Sequence, residues 1–262
     1  MLPVDFTAIS AQYHEQGYTV VRQAFDEERL APIKLVLEQF HQQWLVANQE
    51  LYRARAVNSA YLTDKKLLNT SDRALLFQLI GDRKVAQLLQ AVFPSAFGFM
   101  NTQLFFNPCN PQQKNYWHRD IQYSDLSIEQ QIKALGQSNV IHVRLALAPE
   151  PGLELIPGSH NRWDTDLEFS VRMAQEGCAV HDELPNSHKI ALETGDLLIF
   201  SANMIHRGLY GGQRMAFDML YCDPLPSLLQ YVNPDCLPNS DEMQAISCPE
   251  AFTQTQRVLQ TL

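Results

Sequence analysis

The sequence predicts an α+β fold with a mainly β core, a barrel or a sandwich. Two observations carry this. Up to about residue 96, apolar side chains recur at helical spacing; from 97 to 223, short apolar runs alternate with turns containing Gly, Pro or Asp. Helices first and strands afterwards argue against a repeating βαβ unit, and many short strands favour closure of the sheet.

The elements follow in order. Residues 5–16 read as a helix stopped by Gly17, and Tyr18-Thr19-Val20-Val21 as a short strand. Asp26 is placed to cap a long helix over 27–48, with Glu27 and Glu28 in its first turn and Leu30, Ile33, Leu37, Phe40 and Trp44 on one face. A further helix is expected over 72–92, ending before Pro94. Strands are expected in FGFMNTQLFF, in VIHVRLALA over 140–148, in LELI before a PGSH turn, in HKIAL, in LLIFS and in RMAFDMLYC. The stretches 49–70, 121–139 and 161–187 fit neither pattern and are expected to be lids or binding loops. The Pro-rich tail from 224 to 262 is expected to pack on the outside, so that 1–262 form one domain: helical support (1–96), β core with lid insertions (97–223) and C-terminal extension.

Composition narrows the function. Hydrophobic residues make up 45% and charged residues 19%, the balance of a folded globular chain. A net charge of −9 disfavours nucleic acid and anionic membrane as partners, and no run of 18 or more apolar residues is present. Five cysteines, an odd number without a C-x-x-C pair, point to reduced thiols rather than a disulfide framework or a cysteine zinc site. The N-terminus lacks the basic and apolar regions of a signal peptide, so a cytoplasmic protein, monomer or homodimer, is expected.

The chemistry concentrates in Trp117-His118-Arg119-Asp120, which contains H-x-D. In extended backbone, positions 118 and 120 point to the same side, so an imidazole and a carboxylate can converge on one ion. His206, after LLIFS, offers a second imidazole. Two histidines and one carboxylate form the facial triad that suits non-haem Fe(II) and leaves coordination positions open, whereas a closed zinc site would want a fourth ligand. Arg214 follows His206 across a link containing Gly208, Gly211 and Gly212, which predicts a reversal placing Arg214 on the strand beside the one that delivers His206. A guanidinium there suits the far carboxylate of a metal-chelating dicarboxylate such as 2-oxoglutarate.

With these motifs in place, the chain resembles the phytanoyl-CoA dioxygenase family of Fe(II)/2-oxoglutarate oxygenases. YHEQGYTVVRQAFDEERL, WHRD, LELIPGSH, GDLLIF with MIHRG, and RMAFDMLY match the family's segments in order, over nearly the whole chain. The resemblance implies a double-stranded β-helix. It implies that His118, Asp120 and His206 bind Fe(II) and that Arg214 anchors 2-oxoglutarate, with O2 as second co-substrate. Two departures stand out: the link from His206 to Arg214 is short and lacks the usual asparagine, and Arg119 stands where glutamine is frequent. Asp120 is retained, so no ligand position is vacated for a halide, as in related halogenases, and hydroxylation or another oxidative outcome is expected.

Other residues are assigned by their strand positions. Gln103 and Arg144 are expected to contact 2-oxoglutarate, although Arg144 can equally pair with a buried acid. Arg119 and Trp117 are expected at the substrate, and Arg119 with Arg144 points to a small carboxylate-bearing metabolite. Alternatives are an acyl-CoA hydroxylase, a hydrolase or isomerase using the same ligands without 2-oxoglutarate, and a non-catalytic ligand-binding module.

Overall fold

A computed structural model describes residues 5–262 of the chain; the first four positions of the predicted helical support lie outside the described residues. Helix α1 (Phe6–Gln16) starts at Asp5, whose carboxylate accepts from the Thr7 and Ala8 amides, and ends at Gly17 with φ +85°. Strand β1 (Tyr18–Val21) leads to α2 (Glu27–Ala47), capped by Asp26, which runs directly into α3 (Gln49–Ala54) and the short strand β2 (Asn58–Ala60). The single helix expected over 72–92 is two helices, α4 (Thr70–Ile80) and α5 (Arg83–Val92). Apolar spacing continues across the break, so periodicity does not reveal it. Gly81 packs so tightly that a Cβ there would lie 2.1 Å from Ile246, and Asp82 restarts the helix by accepting from the Lys84 amide at 2.8 Å.

Strand β3 (Gly98–Phe106) opens the β core, followed by α6 (Ile128–Ala134), β4 (Val140–Ala146), β5 (Glu150–Leu155) and α7 (Asp166–Arg172). Then come β6 (His188–Leu192), β7 (Leu197–Ser201), β8 (His206–Gly208) and β9 (Met215–Cys222). The tail carries α8 (Pro226–Leu229), α9 (Ser240–Gln244) and α10 (Glu250–Leu259). The strands form two antiparallel sheets, in the orders β1-β7-β4-β9-β3-β2 and β6-β5-β8. This is the two-sheet β core the sequence predicts, flanked by helices.

Strand alternation divides the larger sheet into two unlike faces. Ile141, Val143 and Leu145 of β4, with Phe217, Met219 and Tyr221 of β9, join Leu37, Leu76, Leu88 and Phe252 of the helices in the main core. The opposite face carries His142, Arg144 and Asp218, turned toward the smaller sheet. That inner layer is closed by a second cluster of Ala146, Leu198 and Phe200 against Leu153, Leu155 and Leu192. Among the described residues, no helix is long and apolar enough to cross a membrane.

The IPGSH turn carries a pH-dependent group away from this inner layer. His160 is 8% exposed, and among the described residues its Nδ1 has no hydrogen-bond partner. Burial, with Arg119 and His14 nearby, lowers its pKa from 6.5 to about 4. Between those values the unfolded chain binds the proton and the folded chain does not. The contribution to stability is therefore full above pH 6.5 and is lost as pH falls toward 4. His160→Gln should shrink the fall in Tm between pH 7 and pH 5; thermal denaturation at the two pH values checks it, and an unaltered fall would exclude His160 as the source.

Candidate active site

His118, Asp120 and His206 each offer a ligand atom within 4.8 Å of the others. The Nε2 atoms of His118 and His206 both lie 3.6 Å from Asp120 Oδ1. The sheet sets this geometry: His118 and His206 face each other as an antiparallel bridge, each backbone amide donating to the other's carbonyl at 2.9 Å. Their Nδ1 atoms lie 3.2 Å from the Tyr116 carbonyl and 3.0 Å from the Met204 carbonyl. A carbonyl only accepts, so both Nδ1 atoms carry the proton, and both Nε2 lone pairs face the centre. Burial keeps both rings neutral. It lowers His118, and together with its neighbour His118 it lowers His206 to about 3. The donor set of two neutral imidazoles and one carboxylate, with protons turned away, fits a divalent metal.

The second oxygen of Asp120 is held from behind. His142 Nε2 lies 2.7 Å from Asp120 Oδ2, and His142 Nδ1 lies 3.2 Å from Asp218 Oδ2. Donation to two carboxylates requires both ring nitrogens protonated, an imidazolium. Burial opposes that charge, but the bonds to Asp120 and Asp218 overcome it and raise His142 to about 9. Burial alone would also raise the Asp120 carboxyl; the bond to the His142 imidazolium and its charge instead hold it well below the usual carboxylate range.

The chain of pairs continues inward. Arg144 lies directly opposite Asp218 on β9 and donates to Asp218 Oδ1 at 3.2 Å. It also grips Glu150 through Nε at 2.9 Å and Nη2 at 3.0 Å. Arg144 is therefore engaged by two buried acids, the pairing that the sequence left open beside a contact with 2-oxoglutarate, and it also lines the cavity; a cation on a central strand is stable only when paired. Glu150 Oε2 in turn lies 3.7 Å from Arg214 Nε. Asp120, His142, Asp218, Arg144, Glu150 and Arg214 thus form one series of alternating charge.

Arg214 ends the series with spare capacity. Nη1 donates to the Phe106 carbonyl at 2.8 Å, and among the described residues the buried Nε has no hydrogen-bond partner. Burial and the neighbouring Arg144 cation lower its pKa to about 10. A buried guanidinium with an open N–H fits a carboxylate. The link from His206 does not place Arg214 on the neighbouring strand as expected. β8 pairs with β5 and β9 with β3 and β4, so the chain crosses from one sheet to the other. Contact is made through Gly208 instead, where a Cβ would lie 2.7 Å from Arg214 Nη2. Asn107 secures the crossing, accepting from the Gly211 amide at 2.8 Å and donating to the Gly212 carbonyl at 3.0 Å.

Trp117 and Arg119 do not reach this site. The alternation that turns 118 and 120 inward turns 117 and 119 outward. Trp117 is fully buried with Ile156, Val171, Leu184 and Ile205, beneath the Arg207 guanidinium. Arg119 is also fully buried. It pairs with Asp164 at 2.7 Å and donates to the carbonyls of Ser159, Arg162 and Asn203. Their placement at substrate is corrected on this ground. Asp164 also takes Arg172, which donates to Gln122 at 2.6 Å, so this cluster braces the turn containing Asp120.

The site opens into a cavity of about 1050 Å³. The triad, His142, Gln103, Arg144, Arg214 and Asp218 line its inner part. The 121–139 segment contributes Tyr123 and Gln137, the 49–70 segment contributes Asn58, and 161–187 contributes nothing to the lining. Sequence reasoning missed His142, Glu150 and Asp218. The available signal was charge on the inward face of otherwise apolar strands, read only at Arg144.

Comparisons with known proteins agree with this geometry. The phytanoyl-CoA dioxygenase (PhyH) family matches residues 13–210. The fold is similar to that of SnoK, a non-heme alpha ketoglutarate dependent carbocyclase from nogalamycin biosynthesis (TM-score 0.57, 14% identity, 83% of each chain covered). EctD from S. alaskensis, solved with 2-oxoglutarate and 5-hydroxyectoine, is similar at TM-score 0.57 and 15% identity, over 84% of this chain and 77% of that one. HygX from Streptomyces hygroscopicus, solved with iron bound, gives TM-score 0.57 and 14% identity over 84% and 88%. At such identities these likenesses speak to the fold. No curated protein matches the sequence.

Proposed function

Because the chain belongs to the phytanoyl-CoA dioxygenase family, and so is an iron- and 2-oxoglutarate-dependent oxygenase, we propose that it hydroxylates a small molecule in this cavity, with His118, Asp120 and His206 holding Fe(II) and Arg214 the far carboxylate of 2-oxoglutarate. The observation that carries the proposal is the buried guanidinium of Arg214, which among the described residues makes no hydrogen bond to a side chain, in the same cavity as three converging ligand atoms. Iron and 2-oxoglutarate, when bound, would supply the oxidising power, so that a substrate C–H becomes C–OH, the hydrogen staying on the hydroxyl, while 2-oxoglutarate takes the other oxygen of O2 and becomes succinate and CO2.

The protein's part is placement. The Tyr116 and Met204 carbonyls fix the two imidazoles, and His142 fixes Asp120 so that Oδ1 faces them. Gln103, opposite Asp218 on β9 and without a side-chain hydrogen bond among the described residues, is free to donate to 2-oxoglutarate. Phe200 stacks on His142 at 4.6 Å and holds the plane of its ring. The carboxylate-bearing substrate expected from Arg119 and Arg144 loses its support, since both are engaged by buried acids.

Anaerobic addition of Fe(II) and 2-oxoglutarate should produce a visible charge-transfer absorption. Arg214→Ala should weaken 2-oxoglutarate binding about 30-fold or more, the cost of losing one partner of a buried charge pair. Metal binding without that absorption in the unmodified protein would sink the proposal.

A further inference from the structure

The outer part of the cavity says what kind of molecule enters. Beside the histidines, the cations lining the whole cavity are Arg144 and Arg214, and both lie in the inner series of pairs. No lysine lines it. Of the charged residues in the lining, Asp125, an anion, is the exposed one. A carboxylate or phosphate entering there would give up water and meet no cation, which is costly.

What the outer wall offers is amide and ring. The Nε2 of Gln130 and both polar atoms of Asn58 and Gln137 have no hydrogen-bond partner among the described residues; Gln130 Oε1 alone accepts, from the Ser127 amide. Tyr123 and Tyr231 are 62% and 68% exposed, large for aromatic rings lining a cavity, and Leu126 and Leu225 lie in the same wall. Carboxamides donate and accept together, which matches a hydroxyl group. Tyrosine presents an apolar face to a ring and a polar tip to its substituents.

We propose, resting on the oxygenase reading, that the substrate is an uncharged, hydroxyl-bearing ring compound, the chemistry of a sugar or glycoside, and not an acid. The residues deciding this are Asn58, Gln130 and Gln137 as hydroxyl partners, and Tyr123 and Tyr231 as ring platforms.

The test uses matched pairs that differ in one group: phenyl β-glucoside with phenyl β-glucuronide, and 4-hydroxybenzyl alcohol with 4-hydroxybenzoate. Each is titrated anaerobically into the protein loaded with Fe(II) and 2-oxoglutarate, following perturbation of the charge-transfer absorption. Succinate release is then measured in air. The uncharged member of at least one pair should half-saturate at a concentration at least about tenfold lower than its acid. Gln137→Arg, at an exposed position outside the inner series, should narrow or reverse that preference by supplying the missing cation. Equal or tighter binding of the acids, or binding by no uncharged member, overturns the proposal. Failure of the absorption to form before any probe is added is a different result, and it counts against the oxygenase reading itself.

Discussion

Asp120→Ala is expected to abolish 2-oxoglutarate turnover and to lower Fe(II) affinity by at least about 100-fold, since loss of a partner behind a ligand alone costs up to about that much. The same change should leave the fold nearly as stable as before. Asp120 is a ligand at Oδ1 and an acceptor for His142 at Oδ2. Without it, His142 loses one of the two carboxylates that hold its charge, keeps Asp218, and can release a proton instead of remaining an unpaired buried cation. Calorimetric metal titration and thermal denaturation of the metal-free protein separate the two effects. A large fall in Tm with metal binding retained would mean that Asp120 serves the fold rather than the ion.

The opposite profile is expected for Arg144→Met. This change leaves Glu150 and Asp218 buried without their shared cation, and breaking a buried pair from one side costs about 3–5 kcal/mol. For a chain of this size the fall in Tm is on the order of 10 °C. Glu150, released from Arg144, already lies 3.7 Å from Arg214 and should close on it, occupying the guanidinium meant for 2-oxoglutarate. The KM for 2-oxoglutarate should therefore rise while metal affinity stays near the original. Adding Glu150→Gln removes the orphaned anion and should recover part of both losses, the non-additivity expected of residues in contact. Stability and 2-oxoglutarate titrations of the single and double variants check this; a purely additive double variant would exclude the coupling.

Both expectations depend on side chains that the sequence revealed unevenly. The triad was legible because its spacing is local on one side, H-x-D, and because His206 follows a strongly apolar strand. Arg214 was legible from the glycines before it, although the chain crosses between sheets rather than turning back within one. The alternation that makes H-x-D meaningful also decides Trp117 and Arg119, and applying it to all four residues would have sent those two outward. Asp218 and Glu150 were not legible, because a buried acid is identified only by the cation it meets, and Arg144 meets them through strand pairing and a turn. The division of the 72–92 helix escaped because apolar spacing runs on across Gly81 and Asp82, and the contact with Ile246 that excludes a side chain at Gly81 comes from far along the chain.

The backbone bridge between His118 and His206 has a consequence for loading. Two of the three ligands are joined by one backbone bridge, so their spacing is set by the chain's own hydrogen bonds and not by an ion. Metal entry therefore does not have to organise the chain. Little ordering entropy opposes binding, and little folding free energy depends on it, unlike small domains that fold only around their ion. A frame this rigid has little means of adjusting to ionic radius. Discrimination among divalent ions then falls to the chemistry of two nitrogens and one oxygen, which ranks several transition metals close to or above iron, and to the supply of metal around the protein.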